Sequence, residues 1–202
     1  MPAADKTLSA DDPQALDRAA DVIARGGVVA VPTETFYGLA ADAAHADAVA
    51  RIFEIKGRPA TLALPLVAAS LQQVIDLLGS LDAQSEKAAR IFWPGPLSLV
   101  LSAGNRTVAI RVPAHDFVRA LAGRAGVLLT ATSANKTGAP PAETARAVAA
   151  SLEGLVDLII DGGPTPGGKP STIADLRGVG GAAPRLVRDG AVAWSRVLES
   201  LQ

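Results

Sequence analysis

Gly26-Gly27-Val28-Val29-Ala30-Val31-Pro32-Thr33-Glu34-Thr35 is the stretch whose reading decides the fold class of this chain. The two glycines stop the helical pattern before them, in which Asp12-Pro13 supplies a cap and first-turn proline and Leu16, Ala19, Ala20 and Ile23 repeat on one face. Residues 28–31 are apolar, too few for a helix and rich in β-branched side chains, so they read as a strand buried on both faces. Polar Thr33 and Thr35 then fall just past the strand end.

The same alternation continues outward. A second helix over 46–56 carries Val49, Ile52 and Phe53 on one stripe and ends at Gly57, with Pro59 preventing continuation. Strands are predicted over 64–67, 97–101, 108–112, 127–131 and 156–160, and extended segments over 172–176 and 185–187. Helices are predicted over 70–78, 84–93, 116–121, 141–152 and 193–201. Pro94-Gly95-Pro96 enforces a turn, and Ala103-Gly104-Asn105-Arg106 is short enough for a hairpin, so one strand pair is antiparallel. The pattern predicts an α/β protein with a twisted mixed sheet, parallel and antiparallel, flanked by helices. One domain over 1–202 is expected, with a core over about 12–190 and a terminal helix over about 193–201.

Composition narrows the function classes. A formal charge of −1 and 3% aromatics argue against a protein that wraps nucleic acid, which needs a broad field of Lys and Arg. With no cysteine there is no disulfide, thiolate nucleophile or Cys-ligated zinc. No leader pattern and no 18-residue apolar run stand in the sequence, so a soluble cytoplasmic protein without membrane contact is expected.

Three dense polar runs interrupt the apolar segments: Pro32-Thr33-Glu34-Thr35, Lys56-Gly57-Arg58-Pro59 and Thr132-Ser133-Ala134-Asn135. Alone, each has a plain explanation. Lys56 and Arg58 are favoured by a helix C-terminus by about 0.3–1 kcal/mol each, and the other two runs suit a turn and a loop leading to a cap. Together, at loops beyond strand ends, they suggest one shared anion site, with phosphate as the anion. Gly163 to Lys169 matches the spacing of a P-loop, but Pro170 replaces the required hydroxyl and Thr172-Ile173-Ala174 favours a strand over a helix. That loop reads instead as a mobile flap with Ser171 as its polar contribution. His45 and His115 form no metal or triad spacing and are expected at the surface, so no resident metal site is assigned. Trp93 and Trp194 are expected in the core or at its rim.

In order along the chain, Pro32-Thr33-Glu34-Thr35-Phe36-Tyr37-Gly38-Leu39, Lys56-Gly57-Arg58-Pro59, Pro94-Gly95-Pro96-Leu97, Arg111-Val112-Pro113, Ser133-Ala134-Asn135 with Gly138, and Pro170-Ser171-Thr172 resemble the YrdC-like threonylcarbamoyl-AMP synthases. The resemblance implies a twisted mixed sheet around a concave basic cavity. It also implies a nucleotidyltransferase reaction: L-threonine, bicarbonate and ATP, with Mg2+, give L-threonylcarbamoyladenylate and pyrophosphate. The product would pass to a tRNA threonylcarbamoyl-transfer complex that modifies an adenosine beside the anticodon. Carried over by motif, Thr35, Arg111, Ala131 and Ser171 bind threonine, with Arg111 gripping its carboxylate in a two-pronged contact. Lys56 and Arg58 face the triphosphate, while Thr107, Ser133, Asn135 and Arg188 place the nucleotide. Lys56, Arg58, Ser133 and Asn135 form the catalytic set.

Two positions depart from the family pattern: Leu62 and Val67 stand where relatives carry polar residues, Asn or Lys and His. Lys169 is expected to compensate by bringing a cation from the flap. Two rival readings remain, an RNA-binding module using the same surface, or at least a weak RNA contact, and a paralogue that has lost the acylation.

Overall fold

The computed structural model describes residues 6–58, 64–152, 154–178 and 182–202. Its strands form two mixed sheets. The first runs in the order β1 (Thr7–Ser9), β9 (Leu158–Asp161), β2 (Val29–Val31), β3 (Gly38–Ala40), β8 (Thr132–Ser133). Here β9 lies parallel to both β1 and β2, and β3 antiparallel to both β2 and β8. The second runs β11 (Arg185–Arg188), β10 (Thr172–Asp175), β5 (Leu97–Ala103), β6 (Arg106–Arg111), β4 (Leu66–Val67), β7 (Leu129–Thr130). In it β10 is parallel to β5 and β4 to β6; the remaining neighbours are antiparallel.

The apolar run at 28–31 is explained by what covers β2. Ala30 joins a core with Leu39 of β3, Ile52 and Ile55 of α2 (Ala46–Lys56) and Val148 of α6 (Ala145–Ser151). Val29 and Val31 face the opposite core, made with Ile23 of α1 (Ala15–Ala24) and Leu121 of α5 (Asp116–Ala125). Successive strand residues point to opposite faces, so a sheet with helices on both sides needs no polar alternation. The second sheet packs Leu97, Leu99 and Ile110 against α3 (Leu71–Leu78), α4 (Ala83–Phe92) and α7 (Trp194–Leu201) through Val74, Ala88 and Val197.

Most predicted elements stand where expected, including the 97–111 hairpin, whose turn carries Gly104 at φ +61°. The strands β1, β3 and β8 were not expected. Each has only two or three residues; β1 and β8 are defined by distant partners, as where Thr7 pairs with Ile159 and Ser133 with Gly38, while β3 also pairs with nearby β2. Helix α6 begins at Ala145 rather than 141 because the Thr144 hydroxyl accepts from the Ala147 N–H at 3.1 Å and caps it there. The histidines are half-buried rather than at the surface: both stand at N-cap positions, and His45 Nδ1 accepts from Ala48 N–H at 3.4 Å. Trp93 is buried and donates from its indole to Leu97 O at 2.6 Å.

The chain crosses from one sheet to the other at Ala131, between β7 and β8. Thr130 seals this seam: its N–H donates to Ala41 O, and its hydroxyl donates to Leu39 O while accepting from Ala41 N–H. No helix among the described residues is long and apolar enough to cross a membrane.

Candidate active site

Register alone brings four polar side chains to one end of the second sheet. Thr172 pairs with Leu97 and Leu99 with Ile110, so Ser98, Arg111 and Ser171 reach the same edge. Arg188 arrives beside them from the end of β11, opposite Ile173. Ser171 is fixed by its surroundings: Ala191 N–H donates to Pro170 O, and Thr172 Oγ1 donates to Val192 O and accepts from Val192 N–H. Gly190 packs so closely here that a Cβ would overlap the backbone of residues 170–172. Ser171 in turn shares a 3.1 Å hydrogen bond with Ser98, while its carbonyl and hydroxyl accept from Arg188.

From the other side, α2 ends in a left-handed Gly57 (φ 61°), with Gly57 N–H returning to Glu54 O and Arg58 N–H to Phe53 O. This turn sends Lys56 inward. Its Nζ donates to Ser133 O at 2.6 Å, Asn135 O at 3.0 Å and Asn135 Oδ1 at 3.2 Å. An ammonium has three N–H donors, so this cage uses all of them. Ser133 Oγ donates to Asn135 Oδ1 at 2.5 Å, and Asn135 Nδ2 donates to Ala139 O at 2.5 Å. The three signature side chains therefore satisfy one another and shape the 133–139 loop. Arg58 is half-buried, with its guanidinium 5.3 Å from the centre of the Phe53 ring. Burial, reinforced by the Arg58 charge, lowers the Lys56 ammonium to about 8.

The link between β2 and β3 closes the third side. Thr33 Oγ1 donates to Phe36 O at 2.7 Å and accepts from the N–H groups of Thr35 and Phe36. The two threonine hydroxyls lie 3.2 Å apart, and the Thr35 hydroxyl faces the space beyond as a group able to donate or accept. The glycine-rich loop lies over this link: Gly167 N–H donates to Thr35 O, and Thr165 N–H and Oγ1 donate to Glu143 O. The flap of the sequence reading is thus tethered, and its P-loop reading fails because strand β10, not a helix, follows it.

The result is one cavity of about 350 Å³ at the seam between the sheets. Thr35, Lys56, Arg58, Arg111, Ala131, Ser133, Asn135, Ser171 and Arg188 all line it. Burial lowers the guanidinium pKa of Arg111, an effect opposed by an ion pair with Glu34, and burial followed by the Arg111 charge lowers that of Arg188. The lining carries four cations, which suits a polyanion joined to a smaller anionic group.

Thr107 does not reach this space. It sits exposed at the hairpin end of β6, paired with Ser102, four residues and about 13 Å along the strand from Arg111. Lys169 also points elsewhere, pairing with Asp189 at 3.3 Å with both side chains more than 60% exposed, so it brings no cation inward. Val67 is buried in register with Arg111, where it packs in an apolar core. Leu62 lies outside the described residues. Sequence reasoning passed over Ser98 and, though it singled out the run containing Glu34, missed the pairing of Glu34 with Arg111. The polar Ser98 inside the run Leu97 to Leu101 was the available signal for the first; the 77-residue separation of Glu34 from Arg111 left none for the second.

A family model for Sua5/YciO/YrdC, described as telomere recombination, matches residues 21–190. Threonylcarbamoyl-AMP synthase of Bacillus subtilis is 38% identical over 201 residues, covering 94% of this chain and 57% of the relative. That of Pyrococcus abyssi is 43% identical over 168 residues, covering 78% and 49%. The crystal structure of P. abyssi Sua5 complexed with L-threonine superposes with a TM-score of 0.82 at 38% identity, over 92% of this chain and 56% of that one. The chain thus spans about half the length of these relatives.

Proposed function

We propose that this chain, which belongs to the Sua5/YciO/YrdC family, is an L-threonylcarbamoyladenylate synthase acting on L-threonine, bicarbonate and ATP as its magnesium complex. The observation that carries this reading is the cavity itself. The buried Arg111 at one end suits a carboxylate, and the Lys56–Ser133–Asn135 brace with Arg58 at the other suits a phosphate chain. One shared cavity for both is what an adenylation of an amino-acid carbamate needs.

In this reading Arg111 holds the threonine carboxylate, Arg188 beside it helps place the nucleotide, and the Thr35 hydroxyl meets the threonine amine, which must lose a proton before it captures bicarbonate. Ala131 and Ser171 complete the amino-acid pocket. Carbamate formation releases water. A carbamate oxygen then attacks the α-phosphorus, the bond to the β-phosphate bridge breaks, and pyrophosphate leaves with the charge. Arg58 meets that growing charge, aided by the magnesium that ATP carries, while Lys56, Ser133 and Asn135 keep the wall rigid. Preorganised donors in such a place are worth about 10²–10³ in rate each. No side-chain base is assigned. The mixed anhydride formed is consumed by acyl transfer to an adenosine amine of tRNA.

The test is threonine-dependent pyrophosphate release from ATP in the presence of labelled bicarbonate, with label recovered in the adenylate. No release, together with tight RNA binding, would favour the rival RNA-binding module.

Two further outcomes follow from the charges. Lys169→Ala is expected to leave ATP affinity unchanged, because an exposed ion pair on Asp189 contributes about 0–1 kcal/mol and nothing to the cavity. A tenfold weaker ATP titration would restore Lys169 to the site. The rate should also fall as pH rises past about 8, where Lys56 loses a proton and has two N–H groups for three oxygens. Unfolding is not the cause at this group. Its native pKa lies below the ordinary 10.5, so the unfolded chain binds more protons between about 8 and 10.5, and its contribution to stability rises with pH there. The threonine amine titrates in the opposite sense, so a rate still climbing at high pH would count against the brace.

A further inference from the structure

Glu34 stands between two residues of the cavity wall, yet it does not line the cavity itself. It lies behind the wall against Arg111, with side-chain exposures of 17% and 9%, and its Oε1 accepts from Arg111 Nη1. Among the described residues this is the only hydrogen bond of the Arg111 side chain, so the edge bearing Nε and Nη2 is left for whatever enters the cavity. The second carboxylate oxygen, Oε2, is buried without a partner. An acceptor kept dry and unpaired is costly, so a carboxylate here calls for a purpose.

We propose that Glu34 is a positioning residue. It pins one edge of the Arg111 guanidinium so that the other edge faces the substrate carboxylate in the orientation a two-pronged contact requires. This rests on the reading of Arg111 as the threonine-carboxylate ligand. A guanidinium turns about several bonds, and nothing else among the described residues holds this one by hydrogen bonding. Fixing it beforehand removes an ordering cost that each substrate molecule would otherwise meet. The opposite role, an internal carboxylate occupying the substrate's place, fits less well. Glu34 is not among the residues lining the cavity and engages Nη1 through one oxygen only.

The two roles predict opposite signs. Loss of a negative charge beside Arg111 would by itself draw a carboxylate in more strongly, so weaker threonine binding in a Glu34 variant reports lost geometry. Glu34→Ala is expected to raise the threonine KM at least tenfold, leaving kcat and the ATP KM within about threefold. Glu34→Gln keeps an oxygen acceptor for Nη1 and should recover most of the affinity. In an Arg111→Ala background, Glu34→Ala should cost nothing further, because its effect passes through the arginine. Calorimetric titration with threonine gives the same comparison without turnover, and thermal melts confirm that each variant is folded. An unchanged or lowered threonine KM in Glu34→Ala, or an undiminished effect without Arg111, would overturn this role alone. A wild-type chain that neither binds threonine nor releases pyrophosphate would overturn the functional reading and this assignment with it.

Discussion

Lys56→Ala will cut threonine-dependent pyrophosphate release by about a hundredfold or more and will also lower the melting temperature. The rate loss follows from the brace: without Nζ, two carbonyl oxygens and the Asn135 amide oxygen lose a shared donor, and the loop that shapes the phosphate end is free to move. Losing one preorganised group of an active site costs about 10²–10³ in rate. The stability loss follows from burial, since Lys56 is only 5% exposed. Acceptors stripped of their donor cost about 1–3 kcal/mol, and at this chain length each kcal/mol corresponds to roughly 2–4 °C. Lys56 is thus a buried, caged ammonium rather than a solvated cation at a helix end, so its removal reaches the fold as well as the rate. Steady-state rates and a melting curve check both halves; a variant with full rate would remove Lys56 from the site, and one with lost rate but unaltered melting would remove the brace.

Arg111→Ala will raise the threonine requirement by about a hundredfold while leaving the ATP KM near its wild-type value. Truncating one partner of a buried, hydrogen-bonded charge pair costs about 2–5 kcal/mol, and a hundredfold corresponds to the lower part of that range. The variant also strands Glu34 as a buried carboxylate without its cation, so it should melt lower than wild type. Pairing it with Glu34→Gln removes the stranded charge and should recover stability without recovering threonine affinity. That separation is the useful readout. A single variant with unaltered threonine dependence would place the carboxylate site elsewhere.

Local chemistry made much of this molecule legible. The stop at Gly26-Gly27, the apolar run 28–31, the Gly57 terminus and the Gly104 turn each act within a few residues, so their consequences can be read without knowing the rest of the chain. Nine of the ten expected site residues line one cavity for a related reason: residues placed at or just beyond strand ends, and at the end of α2, converge when the strands form a sheet. Thr107 is the exception, and register explains it. It shares strand β6 with Arg111 but stands near the opposite end, and which end faces the cavity depends on β5, β4 and β10 rather than on β6.

By itself, then, the sequence determined the kinds and order of the main elements, the family, and the cast of polar residues, because these rest on short-range periodicity, capping and motif order. Tertiary structure alone decided what those residues do to one another. Lys56 meets Ser133 and Asn135 across separations of 77 and 79 residues, and Glu34 meets Arg111 across 77. The strands β1 and β8 likewise exist only where a distant partner supplies their hydrogen bonds. Burial and pairing of this sort depend on the simultaneous closure of many long loops, which no local window records. For that reason no local window could show that the signature Lys56 is caged by Ser133 and Asn135.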